Sequence, residues 1–118
     1  MAGFSIKKDF AFSASHQLAG LAADHPCTRL HGHNYIVAVE LSGELNDVGF
    51  VQDYRELEPM KKWIDDTLDH KHLNDIFSFN PTAENMARFI YDLFIKEFPL
   101  ITSIAISETP KTWATYAN

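Results

Sequence analysis

The chain has 118 residues, 46% of them hydrophobic, and its ten Lys and Arg against sixteen Asp and Glu give a formal net charge of −6. This length predicts one domain, residues 1–118, while the acidic balance argues against a nucleic-acid partner, and no apolar stretch approaches the roughly 20 residues of a membrane helix. A single cysteine, which cannot form an internal disulfide, and an N-terminus without the apolar run of a secretory signal predict a soluble cytoplasmic protein.

Two N-terminal segments alternate apolar and polar residues, as half-buried antiparallel strands do. The first runs from Phe4 to Ser15 and reaches His16, and the second runs from Asn34 to Glu44, directly after His31-Gly32-His33. Because alternate strand residues project to one face, His31 and His33 can offer their imidazoles to one ion. Unless a bulge intervenes, they share the apolar face of the second strand, which would put a metal at the mouth of a dry pocket.

Two helices are predicted next. Asp53 and Glu56 form the pattern of a helix-start box, and the apolar residues that follow at helical spacing predict an amphipathic helix with Pro59 at its first position. Asn80-Pro81 predicts the start of a second helix, with Asn80 as the N-cap and Pro81 at the first position.

Alternation at Ile101–Ser107 and Trp113–Ala117 predicts two C-terminal strands. The resulting order, ββααββ, is typical of an α+β fold in which a four-stranded antiparallel sheet carries both helices on one face. Four strands leave two sheet edges exposed, so we expect a homo-oligomer in which subunits join edge to edge into a larger barrel or ring.

The histidines predict a metal site. Catalytic zinc takes three protein ligands and keeps a position open for water or substrate, and imidazole nitrogen suits zinc. His16 is the candidate third ligand beside His31 and His33, since the first strand ends there. The alternative is that all three are ordinary polar residues on a half-buried sheet. His25 and His72 fit no ligand spacing and are expected to face solvent.

Cys27 has two candidate roles. As a thiolate it could act as a base or nucleophile. As a fourth metal ligand it would close the site, and the zinc would then stabilise a non-catalytic binding module. A domain of this length and apolar content does not need a structural metal, which favours catalysis.

Asp69 and His70 place a carboxylate beside an imidazole after the first helix. Adjacent side chains diverge in a helix, so Asp69 can orient His70 only if the backbone leaves the helix there. The alternative is a solvated charged loop. Together with Cys27, the pair would form an acid–base constellation.

Glu108 ends an apolar strand, where a buried carboxylate needs a partner. A ring with two adjacent N–H donors, such as a 2-amino-4-oxo-pyrimidine, would match it bidentately. The alternative is an exposed glutamate at a strand end.

Six motifs occur in order along the chain: Phe12-Ser13-Ala14-Ser15-His16, Cys27 through His33, Gly49-Phe50-Val51-Gln52-Asp53, Leu68-Asp69-His70 with Leu73-Asn74, Pro81-Thr82-Ala83-Glu84 and Ser107-Glu108-Thr109. Taken together, these motifs resemble the 6-pyruvoyltetrahydropterin synthase family over nearly the whole chain. The three-residue gap between Cys27 and His31 is similar to that of the bacterial branch, the 6-carboxy-5,6,7,8-tetrahydropterin synthases of queuosine biosynthesis.

The resemblance implies a tunnelling fold, whose subunit sheets close into a barrel with active sites at subunit interfaces. It also implies Zn²⁺ bound by His16, His31 and His33. The implied substrate is 7,8-dihydroneopterin triphosphate, which the carboxy branch converts to 6-carboxy-5,6,7,8-tetrahydropterin, acetaldehyde and triphosphate. A 6-pyruvoyltetrahydropterin synthase-type elimination of triphosphate is the alternative within the family.

Under this resemblance, Cys27 would take a carbon-bound proton from a substrate whose hydroxyls are acidified by zinc. Asp69 and His70 would be the second acid–base pair. Glu108, with Thr109 in the same motif, would bind the pterin. The cationic residues nearest to these motifs are Lys8, Arg29 and Lys111. The sequence does not determine which of them contacts the triphosphate.

Overall fold

The computed structural model describes residues 3–118, which form five strands and three α-helices. Residues 1 and 2 of the predicted domain lie outside the described residues. The elements in chain order are β1 (Phe4–His16), β2 (His31–Gly43), α1 (Glu58–Thr67), β3 (Lys71–His72), α2 (Leu73–Ile76), α3 (Ala83–Phe94), β4 (Ile101–Thr109) and β5 (Thr112–Ala117). None of the helices found in residues 3–118 is long and apolar enough to span a membrane.

The strands form one sheet in the order β3-β1-β2-β4-β5. The four long strands are antiparallel neighbours, as predicted. The prediction of a four-stranded, wholly antiparallel ββααββ fold was nevertheless wrong, because β3 adds a fifth strand that pairs in parallel with Ala14 and Ser15 of β1. A strand of two residues is too short to show an alternating pattern. The α-helix α2 is also additional to the two predicted helices.

One continuous apolar core lies between the sheet and its helices. Its buried side chains include Phe10 and Phe12 of β1, Tyr35, Val37, Val39 and Leu41 of β2, Met60 and Ile64 of α1, and Met86 and Ile90 of α3. The pairing of β1 with β2 runs without a register shift from Phe4 opposite Gly43 to His16 opposite His31. The alternation of β2 therefore continues unbroken through His33 and His31, which confirms that both share the face of its buried residues.

The helix starts are partly as predicted. The Asp53–Glu56 capping box is present, but it opens the 3-10 helix Tyr54–Leu57, which leads into α1 with Pro59 in its first turn. Asn80 is not the N-cap of α3. Thr82 takes that position and accepts a hydrogen bond from the backbone N–H of Asn85 at 3.1 Å, because the Asn80 side chain is bonded to a distant loop.

Candidate metal centre

His16, His31 and His33 bring one nitrogen each to within 4.8 Å of one another. His16 is the last residue of β1 and lies opposite His31, the first residue of β2. His33 follows on the same face of β2. The ring centroids are separated by 4.4 Å for His16 and His31, 5.1 Å for His16 and His33, and 4.9 Å for His31 and His33. Two adjacent strand ends therefore deliver all three imidazoles to one point.

Backbone carbonyls fix the orientation of two of these rings. The Nδ1 atom of His16 lies 2.9 Å from the carbonyl oxygen of Pro81, and Nδ1 of His31 lies 2.7 Å from that of Arg29. A carbonyl oxygen only accepts, so each Nδ1 carries the proton and donates it. The two Nε2 atoms are 2.8 Å apart, and in the neutral rings both keep a free lone pair. This is the tautomer in which histidine binds a metal through Nε2.

The third imidazole has an unpartnered nitrogen. Nε2 of His33 is buried and has no hydrogen-bond partner in residues 3–118. Oε2 of Glu108 is 3.1 Å away, but it does not lie in hydrogen-bonding geometry, and it is 3.9 Å from Nε2 of His16. Three convergent nitrogen donors, one of them buried without a partner, fit a metal ion.

Burial favours the neutral form of two of these histidines, His16 and His33. Loss of hydration lowers the pKa of His16 and of His33, so that both rings favour the unprotonated form that a metal requires. The hydroxyl of Tyr35 lies 3.2 Å from Nδ1 of His16, and burial raises the pKa of this hydroxyl. The buried side of the cluster therefore contacts a neutral hydroxyl group.

Cys27 does not join the three ligand atoms within the described part of the chain. It is half-buried in the 3-10 helix Pro26–Thr28, and its backbone N–H donates to Nδ1 of His25 at 3.0 Å. Within the described residues, the candidate metal site thus has three protein donor atoms. His25 is exposed, as predicted, but His72 is only half-exposed, and its Nδ1 lies 2.9 Å from the hydroxyl oxygen of Ser15.

Asp69 and His70 are in contact. The chain leaves α1 after Thr67, and His70 takes a φ of +60°, which brings its Nδ1 to 2.9 Å from Oδ2 of Asp69. The other carboxylate oxygen accepts from the backbone N–H of Ser13 at 2.8 Å. This hydrogen bond lowers the pKa of Asp69, and the adjacent His70 adds to the effect. The His70 side chain is 82% exposed, and within residues 3–118 no hydrogen bond or ion pair joins it to Cys27.

Glu108 and Thr109 lie at the end of β4. The Glu108 side chain is 25% exposed and lines a cavity of about 210 Å³ together with Glu84, Thr112 and Trp113. Thr109 is exposed, and its hydroxyl contacts that of Thr112 at 3.2 Å. The three candidate phosphate ligands, Lys8, Arg29 and Lys111, are also exposed.

Sequence reasoning missed the groups that orient the cluster. The carbonyls of Arg29 and Pro81 and the hydroxyl of Tyr35 contact its histidines. A backbone acceptor leaves no mark on a side-chain pattern, and Tyr35 fits the pattern of an ordinary core residue. The only sequence signal for this contact is that Tyr35 continues the alternation of His31 and His33, and so lies on the same face of β2.

Comparisons with known proteins give a consistent result. Residues 5–118 match the family model described as 6-pyruvoyl tetrahydropterin synthase. The chain is 34% identical to the 6-carboxy-5,6,7,8-tetrahydropterin synthase of Haemophilus influenzae, with 96% of this chain and 98% of the relative covered. It is 32% identical to a dihydroneopterin monophosphate aldolase of Pyrococcus furiosus, over 80% of this chain and 81% of the relative.

The fold agrees with a solved member of the same group. The structure of 6-pyruvoyl tetrahydropterin synthase from Caenorhabditis elegans superimposes with a TM-score of 0.87 at 28% identity, covering 100% of this chain and 97% of that one. The match to the family model over residues 5–118, the curated relatives and the three-histidine cluster agree. This chain belongs to the 6-pyruvoyl tetrahydropterin synthase family.

Proposed function

We propose that this protein is a zinc-dependent lyase that converts 7,8-dihydroneopterin triphosphate to 6-carboxy-5,6,7,8-tetrahydropterin, acetaldehyde and triphosphate in queuosine biosynthesis. The observation that carries the proposal is the cluster of His16, His31 and His33, whose ligand nitrogens lie within 4.8 Å of one another. The relative from Haemophilus influenzae, which bears the name of this synthase and matches 96% of the chain, supports the choice of reaction. We place the enzyme in the cytoplasm.

His16, His31 and His33 would hold the zinc ion, which when bound supplies Lewis-acid acidification of the substrate's side-chain hydroxyls. The carbonyls of Pro81 and Arg29 keep the protons of two rings on Nδ1. This leaves Nε2 available without a proton to displace. The protein's contribution at this point is orientation.

Cys27 would take the carbon-bound proton of the substrate as a thiolate base. Asp69 accepts the Nδ1 proton of His70, so Nε2 of His70 is the free nitrogen of the second acid–base pair. His70 projects into solvent. A neighbouring subunit can therefore bring Cys27 and its substrate to this nitrogen, which accords with active sites at subunit interfaces.

Glu108 would bind the pterin ring. Its carboxylate faces a cavity of about 210 Å³, where it can accept hydrogen bonds from the 2-amino group and the adjacent ring N–H. Thr109, the next residue of β4, is the second proposed substrate contact. Lys8, Arg29 and Lys111 remain the candidates for contacts with the triphosphate.

The exposed sheet edges support the proposal of a homo-oligomer. β3 covers only Ala14 and Ser15 of β1, so most of the outer edge of β1 has no strand partner in residues 3–118, and β5 is the other terminal strand. Edges of this length normally pair with another chain or are covered. We propose that β1 of one subunit pairs with β5 of the next.

The test is incubation of the zinc-loaded protein with 7,8-dihydroneopterin triphosphate, with the pterin product and acetaldehyde separated by chromatography. Carboxytetrahydropterin with stoichiometric acetaldehyde is the expected result. A pyruvoyltetrahydropterin product without acetaldehyde would move the chain to the sister activity. No turnover by folded, metal-replete protein would favour the zinc-stabilised binding module.

A second substrate belongs in the same assay. The relative from Pyrococcus furiosus is named for an aldolase acting on dihydroneopterin monophosphate, and it is 32% identical to this chain. Faster turnover of the monophosphate than of the triphosphate would contradict the proposed substrate.

A further inference from the structure

Residues 69–80 follow the outer edge of β1 and continue beyond its last strand residue. The backbone N–H and C=O groups of the odd-numbered residues of β1 point toward this edge. The N–H of Ser13 donates to the Asp69 carboxylate, and the carbonyl of Ser13 accepts from the N–H of His70 at 2.6 Å. Ser15 pairs with β3. Past His16 no strand lies here in the described chain, yet the same alternation of bonding continues.

Two asparagine side chains take the place of the missing strand. Oδ1 of Asn74 accepts from the N–H of Gln17 at 2.9 Å, and its Nδ2 donates to the carbonyl of Gln17 at 2.8 Å. Asn80 binds Ala19 in the same way, at 2.9 Å and 3.1 Å. Each amide thus satisfies both backbone groups of one residue, as a neighbouring strand would.

Leu18 lies between Gln17 and Ala19, and its backbone N–H points to the opposite side. The N–H of Leu18 donates to the carbonyl of Cys27 at 2.9 Å. The side chains of Asn74 and Asn80 therefore bind the backbone of residues 17–19 on one side. On the other side, the same backbone segment binds the loop of Cys27 through Leu18. Asn80 also precedes Pro81, whose carbonyl binds Nδ1 of His16.

We propose that Asn74 and Asn80 are positioning residues that set the place of the Cys27 thiol relative to the histidine cluster. They act through the backbone of Gln17, Leu18 and Ala19, not by touching the substrate. Without them, the long connection between β1 and β2 loses four of the hydrogen bonds that fix its path, and the ordering of Cys27 weakens. The catalytic part of this inference rests on the proposed function, whereas its geometric part does not.

The chain offers a clean probe and a matched control. Cys27 is the one cysteine in the sequence, so alkylation by iodoacetamide reports on it alone. Asn46 is an exposed asparagine whose Oδ1 accepts from the N–H of Val48 at 3.1 Å and of Phe50 at 3.0 Å, in a loop that carries no candidate site residue. Asn46→Ala thus makes the same chemical change away from Cys27.

In the zinc-loaded protein, we expect Asn74→Ala and Asn80→Ala to speed alkylation of Cys27 at fixed pH, while Asn46→Ala keeps the wild-type rate. Misplacement by about 1 Å can lower turnover about 100-fold, so we expect kcat to fall by 10- to 100-fold with little change in KM. The cobalt(II) absorption spectrum, which reports on the histidine cluster, should be unchanged in Asn74→Ala. Wild-type alkylation rates in both variants, or an equal acceleration in Asn46→Ala, would overturn the proposal.

Asn74→Asp covers the case in which the alanine variant does not fold. It keeps the acceptor for the N–H of Gln17 and loses the donor to the carbonyl, so an alkylation rate above wild type supports the proposal and a wild-type rate contradicts it. Should the wild-type enzyme fail to turn over dihydroneopterin triphosphate, the proposed function falls. The alkylation comparison would still decide whether the two asparagines position Cys27.

Discussion

Nδ1 of His16 and the carbonyl oxygen of Pro81 are 2.9 Å apart, across 65 residues of sequence. This hydrogen bond joins the end of β1 to the segment just before α3. It fixes one imidazole in the tautomer that leaves Nε2 free. The histidine cluster is therefore oriented by a part of the chain that supplies none of its three imidazoles.

Removal of one ligand should abolish tight metal binding. We expect His33→Ala to weaken cobalt(II) and zinc affinity by about 100-fold or more, because even outer contacts of metal ligands contribute 10- to 100-fold. His72→Ala is the matched control, since His72 contacts the hydroxyl of Ser15 and is not one of the three clustered histidines. Competition with a chromophoric chelator measures both variants. Equal affinities would show that the cluster does not hold the metal.

The metal-free protein should lose stability in mild acid. The pKa of His16 and of His33 is lowered by burial, so between this lowered value and about 6.5 the unfolded chain binds more protons than the folded one. Stability from these groups is complete above about pH 6.5 and is lost as pH falls through the lowered pKa. Thermal unfolding of chelator-treated protein between pH 5 and 7.5 measures it. His33→Gln should flatten this dependence, and a melting temperature that rises on acidification would contradict it.

Cys27→Ala should separate catalysis from folding. With three histidines as the metal ligands, the variant should remain folded and bind zinc at the wild-type ratio. Loss of a positioned proton acceptor should lower turnover by about 100-fold or more. Circular dichroism, metal analysis and the product assay test this together. Loss of zinc and fold in the same variant would point to a structural site closed by the thiol.

Glu108→Gln should weaken substrate binding more than metal binding. A hydrogen bond to a charged group contributes about 1.5–3 kcal/mol, so we expect affinity for a pterin ligand to fall roughly 10- to 100-fold. Glu84→Gln is a useful comparison, because Glu84 lines the same cavity from α3. Titration calorimetry with a pterin ligand measures both variants. An equal or larger loss for Glu84→Gln would contradict the role given to Glu108.

Subunit pairing along β1 can be tested with one proline. Asp9 is an odd-numbered residue of β1, so its N–H faces the outer edge and is not needed for pairing with β2. Asp9→Pro should remove a hydrogen bond between subunits and shift the protein toward the monomer, while Asp9→Ala should not. Sedimentation or light scattering gives the mass. An unchanged oligomer in Asp9→Pro would exclude pairing at this edge.

Several features of the fold could be predicted because they repeat locally. Alternation defined the long strands and placed His31 and His33 on one face, which the unshifted pairing of β1 and β2 confirms. The features that were missed depend on distant partners. Asn80 carries the local pattern of a helix cap, but its side chain bonds to Ala19 instead. Likewise, β3 exists only because β1 lies beside it.

The three histidines of the cluster all belong to the antiparallel pair formed by β1 and β2. During synthesis, the complete donor set has emerged once residue 33 has left the ribosome, whereas Pro81, which orients His16, follows much later. The three histidines are therefore all present in the nascent chain before the contact that holds His16 in its final orientation can form.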